Sequence, residues 1–234
     1  LQTGDSEAAR RTCETALELR PDYPPALLLR GKMQLAQDDT DAAIADLERA
    51  VQQNPLPDYQ WTLAEALRAA GRDPEAEELE TQLHRHGTVS DPRTYSLYLA
   101  TRGEDPALAV RLAESELLQR EDVFTHDALA WALTAAGRME EARTHSELAL
   151  AEHTPDARLW FHAAVIASRS GQSEAAQARF THAASLMHML LPSERTQLLR
   201  LAEKLASTET NSETTLPQSA ATTLSASAKT AEGN

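Results

Sequence analysis

The chain has 234 residues, and its 22 Lys and Arg residues are outnumbered by 36 Asp and Glu residues, which gives a net charge of −14. Nucleic-acid binding depends mainly on clustered Lys and Arg, so this acidic balance argues against a nucleic-acid-binding protein. The single cysteine, Cys13, excludes an internal disulfide bond and any site built from several cysteines. With only ten aromatic residues and eight glycines, the composition favours a helical chain over a strand-rich sandwich or barrel.

The sequence contains no segment that predicts a membrane span. Even the apolar run 186–191 is far shorter than the roughly 18 residues that a span needs, and we expect a soluble protein. The sequence starts at Leu1 without the pattern of a signal peptide, so we expect a fragment or processed product with further repeats upstream. The sequence does not distinguish a cytoplasmic from a periplasmic location for the protein. The 19 Arg against three Lys, with much Ala and Leu, indicate a GC-rich bacterial gene.

An internal repeat organises the chain. A turn motif rich in Gly, Asp and Ser recurs along the sequence, and each turn is followed by an alanine. Glycine just after a helix end can adopt the left-handed conformation, and Asp or Ser then caps the next helix. Apolar residues recur at three- and four-residue spacing on both sides of the turns, which predicts consecutive pairs of amphipathic helices. The alanines, spaced by 33 or 34 residues, are Ala9, Ala43, Ala76, Ala109, Ala142 and Ala176. The turns begin at Gly4, Asp38, Gly71, Gly103, Gly137 and Gly171.

Two further features recur with the same period. Helix-breaking residues are expected to close most of the pairs, and small residues seven positions before the turns are expected where two helices cross closely. The helix-breaking residues are Pro21, Pro55, Gly87, Pro155 and Pro192. The small residues are Gly31, Ala64, Ala130 and Ala164.

The two ends of the chain depart from the repeat. Residues 1–3 would be only the last turn of a first helix, so the helix that follows should expose a strip formed by Ala8, Ala9, Cys13 and Leu17. Residues 193–206 predict a C-terminal capping helix with Ser193 as its N-cap. Residues 207–234 include 12 Ser or Thr and no aromatic residue, and they are predicted to be a disordered tail rich in Ser, Thr and Ala. The predicted domains are therefore 1–206 and 207–234.

These features resemble the tetratricopeptide repeat family, whose 34-residue units carry small residues at the helix crossing and Ala early in the second helix. The resemblance covers about residues 1–191 and is best in DALAWALTAAGRMEEA, residues 127–142. It implies an all-α, right-handed superhelical solenoid of antiparallel helix pairs. We expect about five full repeats, a partial N-terminal repeat and the capping helix. The departures are Asp38 in place of a turn glycine, an inserted residue near Gly103, and Glu80 at a usually bulky site.

Motifs of catalysis are missing from the sequence, which lacks a glycine-rich phosphate loop, a nucleophile turn and a His-Glu-x-x-His helix. The histidines do not converge at metal-ligand spacing, because His84 and His86 would point in different directions on a helix. We therefore predict no enzyme, no metal site and no cofactor. Three roles stay open for His126 and His162: a partly buried, hydrogen-bonded structural residue, a contact to a ligand, and acid–base catalysis.

The family resemblance implies that the first helix of each pair lines a concave groove. The predicted groove residues are Trp61, Phe124, Asp127, Trp131, Arg158, Phe161, His162 and Arg169. Neighbouring inward positions are Leu28, Leu29, Lys32, Glu65, Arg93, Leu97 and Val165. Aromatic and Arg side chains are common anchors of interfaces. An alternative for the aromatic residues is that the superhelix itself covers them.

The predicted function is a non-enzymatic scaffold or adaptor that holds a partner peptide or helix with apolar anchors. The clamp by which some family members grip chaperone tails is not reproduced, since Lys32 stands alone and Leu28 replaces a second lysine. The alternative is a non-catalytic assembly or regulatory subunit that docks through its N-terminal end at Cys13 and Leu17. Homo-oligomerisation is compatible with the sequence but is not indicated by it.

Overall fold

The computed structural model describes the backbone of residues 2–214 and the side chains of residues 7–207, and all regular structure in this part of the chain is helical. One helix is followed by five antiparallel pairs, a short 3-10 turn and a last helix, which confirms the predicted all-α solenoid. The pairs are α2/α3, α4/α5, α6/α7, α8/α9 and α10/α11. The helices are α1 Gln2–Leu19, α2 Pro24–Ala36, α3 Thr40–Gln53, α4 Pro57–Ala69, α5 Asp73–Ser90, α6 Pro92–Arg102, α7 Pro106–Leu117, α8 Val123–Ala135, α9 Met139–Leu150, α10 Ala157–Arg169, α11 Ser173–Ser185 and α12 Pro192–Thr214, and the 3-10 turn is Met187–Met189.

The turns inside the pairs have the expected left-handed residue. Gly71, Gly103, Gly137 and Gly171 have φ angles of 70° to 75°. Asp38 takes the same place between α2 and α3 with φ 60°, a conformation that Asp tolerates better than most other residues. Side-chain caps follow only two of these turns, because the N-cap residues of α5, α9 and α11 are Arg72, Arg138 and Gln172, which make no side-chain cap. The two capping residues are Asp39 of α3 and Asp105 of α7.

Small residues let the helices approach each other. The alanines from Ala43 to Ala176 are completely buried, and Gly31, Ala64, Ala130 and Ala164 are also buried. In α6 the corresponding position is Ser96, whose hydroxyl donates a hydrogen bond to the carbonyl oxygen of Ala109 at 2.8 Å. A hydroxyl is therefore accommodated at a helix crossing where it finds a backbone acceptor.

The N-terminal helix differs from the prediction. α1 is continuous from Gln2, so the turn predicted at Gly4 is wrong, because three residues are too few to form a helix of their own. Cys13 and Leu17, which were expected on an uncovered strip, pack in a cluster with Ala26 and Leu27 of α2. Only Ala8 and Ala9 of that strip are exposed.

Three predicted helix boundaries are also corrected. Gly87 does not end a helix but lies buried inside α5, where its missing side chain leaves room for the ring of Tyr95. Ser193 is not the N-cap of α12, since that helix begins at Pro192 and its first turn is held by the carboxylate of Glu194, which accepts from the backbone N–H of Leu191 at 2.9 Å. α12 extends to Thr214, beyond the predicted end at residue 206. Residues 215–234 lie outside the described residues, so the disordered tail stays a prediction.

The array curls until its C-terminal end reaches the first full pairs. The 3-10 turn Met187–Met189 contacts α2, and the first turn of α12 contacts α4. α4 and α10 also meet directly, because the guanidinium group of Arg158 lies 4.9 Å from the ring centre of Trp61. The concave side is consequently a partly enclosed cavity rather than an open wall.

Replacing Gly87 by Ala should destabilise the protein. A Cβ atom there would lie 2.5 Å from Cγ of Tyr95, so the ring would have to move. We expect a loss of about 1–2 kcal/mol in the free energy of unfolding, because overpacking outweighs the gain in helix propensity. Denaturant unfolding of the wild type and of the Gly87→Ala variant measures this loss. An increase in stability, as helix propensity alone would give, would contradict the packing described here.

Candidate functional site

The concave side of the array encloses a cavity of about 620 Å³. The first helices of the pairs supply most of its wall, and the 3-10 turn closes one side. The large apolar side chains in its lining come from α2, α6, α8, α10 and the 3-10 region, and Ala9 of α1 and Pro155 also line it. The large ones are Leu29, Met33, Leu97, Phe124, Leu159, Leu186 and Met189. Polar side chains in its lining include Lys32, Asp58, Arg93, Asp127, Asp156, Arg158 and His188.

Three large apolar side chains of this lining are accessible to solvent. Leu29 of α2 is 41% exposed, Phe124 of α8 is 41% exposed and Met189 of the 3-10 turn is 43% exposed. They come from distant parts of the sequence and converge on one cavity. Covering such surface with an apolar ligand is favourable by about 25 cal/mol for each Å² removed from water. The cavity therefore offers a binding surface that the fold itself leaves uncovered.

Charged groups alternate with these apolar residues. The Nζ atom of Lys32 lies 3.1 Å from Oδ1 of Asp58. Burial of the Asp58 carboxylate opposes its ionisation, but the positive charges of Lys32, Arg158 and Arg93 outweigh burial and hold its pKa below the usual range. Asp58 is therefore ionised at neutral pH. Arg93 lies over the ring of Phe124 at 5.8 Å, and its only ion pair among the described residues is a long one of 3.6 Å to Asp122.

Arg158 joins the cavity to the C-terminal helix. Its Nε donates a hydrogen bond of 2.6 Å to the carboxylate of Glu194, a side chain with no exposed surface. Burial lowers the pKa of Arg158, but the negative charges of Glu194 and Asp58 outweigh this effect and raise it. The guanidinium group stays protonated and neutralises a carboxylate that would otherwise be buried alone.

A buried His–Asp pair connects α10 with α8. The Nδ1 atom of His162 lies 3.0 Å from both carboxylate oxygens of Asp127, and its ring stacks on Trp131 with 4.0 Å between the ring centres. His162 is 1% exposed, and its Nε2 atom is buried without a hydrogen-bond partner among the described side chains and backbone. A ring so enclosed cannot reach a ligand in this conformation, which favours a structural role over acid–base catalysis.

A second histidine pair lies between α8 and α9. The Nδ1 atoms of His126 and His145 are 3.1 Å apart, and their rings stack. Burial and the neighbouring His126 lower the pKa of His145, so His145 is neutral at pH 7 and the two rings can share one hydrogen bond. Among the residues with described side chains, no group of three or more His, Cys, Asp or Glu is placed to hold a metal ion. In the same part of the chain, no helix has the length and apolar character to cross a membrane.

The structure separates the predicted groove residues into three groups. Phe124, Asp127 and Arg158 line the cavity. Arg169 is exposed at the end of α10 and does not line it. An open-wall position is wrong for Trp61, Trp131, Phe161 and His162, each of which is at most 5% exposed. The superhelix itself covers the three aromatic residues, which is the alternative that the sequence left open for them, and His162 is a buried, hydrogen-bonded histidine.

Several cavity residues could not be recognised from the sequence. Asp58 lies in the first turn of α4, one turn before the inward positions that the repeat identifies. Leu186 and Met189 belong to the apolar run between the last pair and α12. The sequence did contain a signal for these two residues, because a run of apolar residues in a connection between helices indicates that the connection is buried. This run did not reveal which surface of the array the connection covers.

Comparison with known proteins identifies the repeat. Residues 1–56 and 34–85 match the tetratricopeptide repeat family. A tetratricopeptide repeat protein from Parabacteroides merdae is 18% identical with a TM-score of 0.51, covering 86% of this chain and 78% of its own. A thermophilic tetratricopeptide repeat protein from Thermus thermophilus is 19% identical with a TM-score of 0.51, covering 80% and 99%. A chain of the APC/C hetero-tetramer Cut9–Hcn1 is 14% identical with a TM-score of 0.50, and the match covers 91% of this chain but only 46% of that one. No curated protein matches the sequence.

Replacing Asp58 by Asn should lower stability in a pH-dependent manner. Because the pKa of Asp58 is lower in the folded than in the unfolded chain, its stabilisation is fully present above the ordinary value of 3.8 and is lost as pH falls through the folded value. We expect a difference of about 1 kcal/mol at pH 7 between the wild type and Asp58→Asn, shrinking towards pH 2.5. Urea unfolding across this range measures it.

The matched control is Asp22→Asn, which removes an exposed ion pair with Arg49. Its effect on stability should be smaller at every pH. A difference between the wild type and Asp58→Asn that does not change between pH 7 and pH 2.5 would contradict the electrostatic environment assigned to Asp58.

Proposed function

Because residues 1–56 and 34–85 match the tetratricopeptide repeat family and the array shares its fold with tetratricopeptide repeat proteins, we propose that the chain is a non-enzymatic scaffold or adaptor that binds a segment of a partner protein in its concave cavity. The observation that carries the proposal is the convergence of Leu29, Phe124 and Met189, all accessible, on one cavity. A volume of about 620 Å³ lies within the range of roughly 300–1,000 Å³ typical of ligand pockets. The inserted part of the partner is therefore short.

The chemistry of the cavity indicates the kind of partner. Its accessible apolar side chains favour a segment with apolar anchors. Arg93 has 23% of its side chain exposed and, within the part of the chain whose side chains are described, only a long ion pair to Asp122, so it can receive a carboxylate of that segment. Lys32 and Asp58 already neutralise each other. The net charge of −14 argues against a nucleic acid as the ligand.

Two further observations bear on the proposal. The fold is shared with a chain of the Cut9–Hcn1 hetero-tetramer, so this architecture is compatible with assembly into a protein complex. Docking through the N-terminal end has less support, because Cys13 and Leu17, which were to provide that surface, are 4% and 7% exposed. We therefore favour the concave cavity over the end of the array.

The proposal is tested by placing a charge in the cavity and, separately, at a matched position outside it. Leu29→Asp puts a carboxylate among the apolar residues of the cavity. Leu148→Asp makes the same change on α9, where Leu148 is 43% exposed and lies outside the cavity. Both side chains are partly exposed, so both variants should fold, and thermal unfolding checks this.

Cross-linked capture from the source cell, quantified by mass spectrometry, compares the two variants with the wild type. We expect Leu29→Asp to lose a partner that the wild type and Leu148→Asp retain. The loss should be about 30-fold, as expected when an anchor worth about 2 kcal/mol is removed. Equal capture by all three chains would overturn the proposal.

A further inference from the structure

The C-terminal part of the chain occupies one side of the groove. We call residues 186–195 the crossing segment, since they run from the end of α11 across the concave side to α2 and α4. The backbone N–H and the hydroxyl of Ser193 donate hydrogen bonds of 3.0 and 2.7 Å to the carboxylate of Glu65. Arg195 donates a hydrogen bond of 2.9 Å to the backbone carbonyl of Leu35. These bonds join residues that are 128 and 160 positions apart in the sequence.

The crossing segment is recognised by the groove much as a separate peptide would be. Leu190 and Leu191 are 4% and 1% exposed and pack in the main apolar cluster of the array. Glu194 places its carboxylate against the guanidinium group of Arg158. Two apolar anchors are thus followed by a hydroxyl and a carboxylate in the first turn of a helix, and each of them meets a complementary group.

Leu198 of α12 still packs in the main apolar cluster with Leu190 and Leu191, whereas the later turns of α12 are attached in a different way. Leu201 and Leu205 pack against Ala164, Ala167 and Ala176 of the last pair, and this contact holds the helix as a cap. The cap is independent of the polar bonds made by residues 193–195. The crossing segment can therefore leave α2 and α4 while the later turns of α12 stay on α10 and α11.

One contact of the crossing segment makes its release easier. Burial raises the pKa of Glu65, and the hydrogen bonds from Ser193 only partly offset this cost. Release of Ser193 exposes the Glu65 carboxylate to water, and its hydration partly compensates for the broken bonds.

We propose that the crossing segment is an intramolecular ligand of the groove, and that the partner carries a segment of the same chemistry and binds by displacing it. That partner segment has two adjacent apolar residues followed by a helix start with a hydroxyl and a carboxylate. This inference rests on the proposed function and refines it, because it names the chemistry and the regulation of the same groove. Leu29 and Phe124 stay in the groove when the crossing segment leaves, whereas Met189 leaves with the segment. If only a fraction of the chains is open, the apparent dissociation constant is raised by the inverse of that fraction.

A labelled peptide with the sequence of residues 186–197 tests the inference on the full chain by fluorescence anisotropy. The double variant Ser193→Ala, Glu194→Ala weakens the crossing segment and should bind the peptide at least 10-fold more tightly than the wild type. The control Glu203→Ala, an exposed carboxylate on the same helix, should bind as the wild type does. A peptide with the same two alanines should bind the double variant at least 10-fold more weakly than the native peptide does.

Equal affinity of the wild type and the double variant would overturn the inference, as would equal binding of the two peptides. If the double variant does not fold, a second arm decides. Cysteines introduced by Glu65→Cys and Ser193→Cys are joined by a cleavable thiol cross-linker. The locked chain should bind the native peptide at least 10-fold more weakly than the same chain after cleavage, and equal binding would overturn the inference.

These measurements use the chain's own peptide and no natural partner. Their failure is therefore distinguishable from failure of the proposed function, which the Leu29→Asp capture tests separately. A chain that displaces its crossing segment but captures its partner equally well with Leu29→Asp would retain the inference and lose the proposed cavity contact.

Discussion

The whole structure depends on the close approach of helices at alanine. From Ala43 to Ala176, each alanine early in a second helix is completely buried, so its backbone can lie directly against the neighbouring helices. Because the spacing of 33 or 34 residues repeats this contact five times, small rotations between neighbouring pairs add up along the chain. Their sum curls the array so far that residue 193 reaches residue 65. The cavity, the buried Arg158–Glu194 pair and the crossing segment all follow from that curl.

The curl also decides which side chains remain available to a partner. Trp61 and Phe161 have become core residues, because the neighbouring helices and the returning C-terminal end cover them. The large apolar side chains that are accessible to solvent at the cavity are instead Leu29, Phe124 and Met189. A groove narrowed in this way favours a short apolar segment over a long helix lying along the full concave wall.

Local sequence patterns determined most of the fold. The glycines and Asp38 at the left-handed positions marked the turns, and the apolar spacing marked the helices. The helix end predicted at Gly87 was wrong, because a glycine is used either at a turn or at a close contact between helices. Only the position of Tyr95 shows that Gly87 serves a close contact. The N-cap prediction for Ser193 was also wrong, since its hydroxyl donates a hydrogen bond to the distant carboxylate of Glu65 and does not cap its own helix.

The candidate site was predicted less completely, for a physical reason. Periodicity identifies the face of a helix but not the angle between successive pairs. It therefore placed Phe124, Asp127 and Arg158 on the concave side, where they line the cavity, and could not foresee the burial of Trp131. The part of the cavity wall that residues 186–191 form depends on the same angle between successive pairs. Their apolar character indicated burial, whereas the surface they cover is defined only once five pairs have been stacked.

Amide hydrogen exchange at Ser193 measures whether the array is closed in solution. Ser193 is the second residue of α12, where a backbone N–H has no acceptor within its own helix, so protection of this amide has to come from Glu65. We expect slow exchange in the wild type and exchange at least tenfold faster in Glu65→Ala. Fast exchange in the wild type, or an unchanged rate in the variant, would contradict the closure from which the cavity and the crossing segment follow.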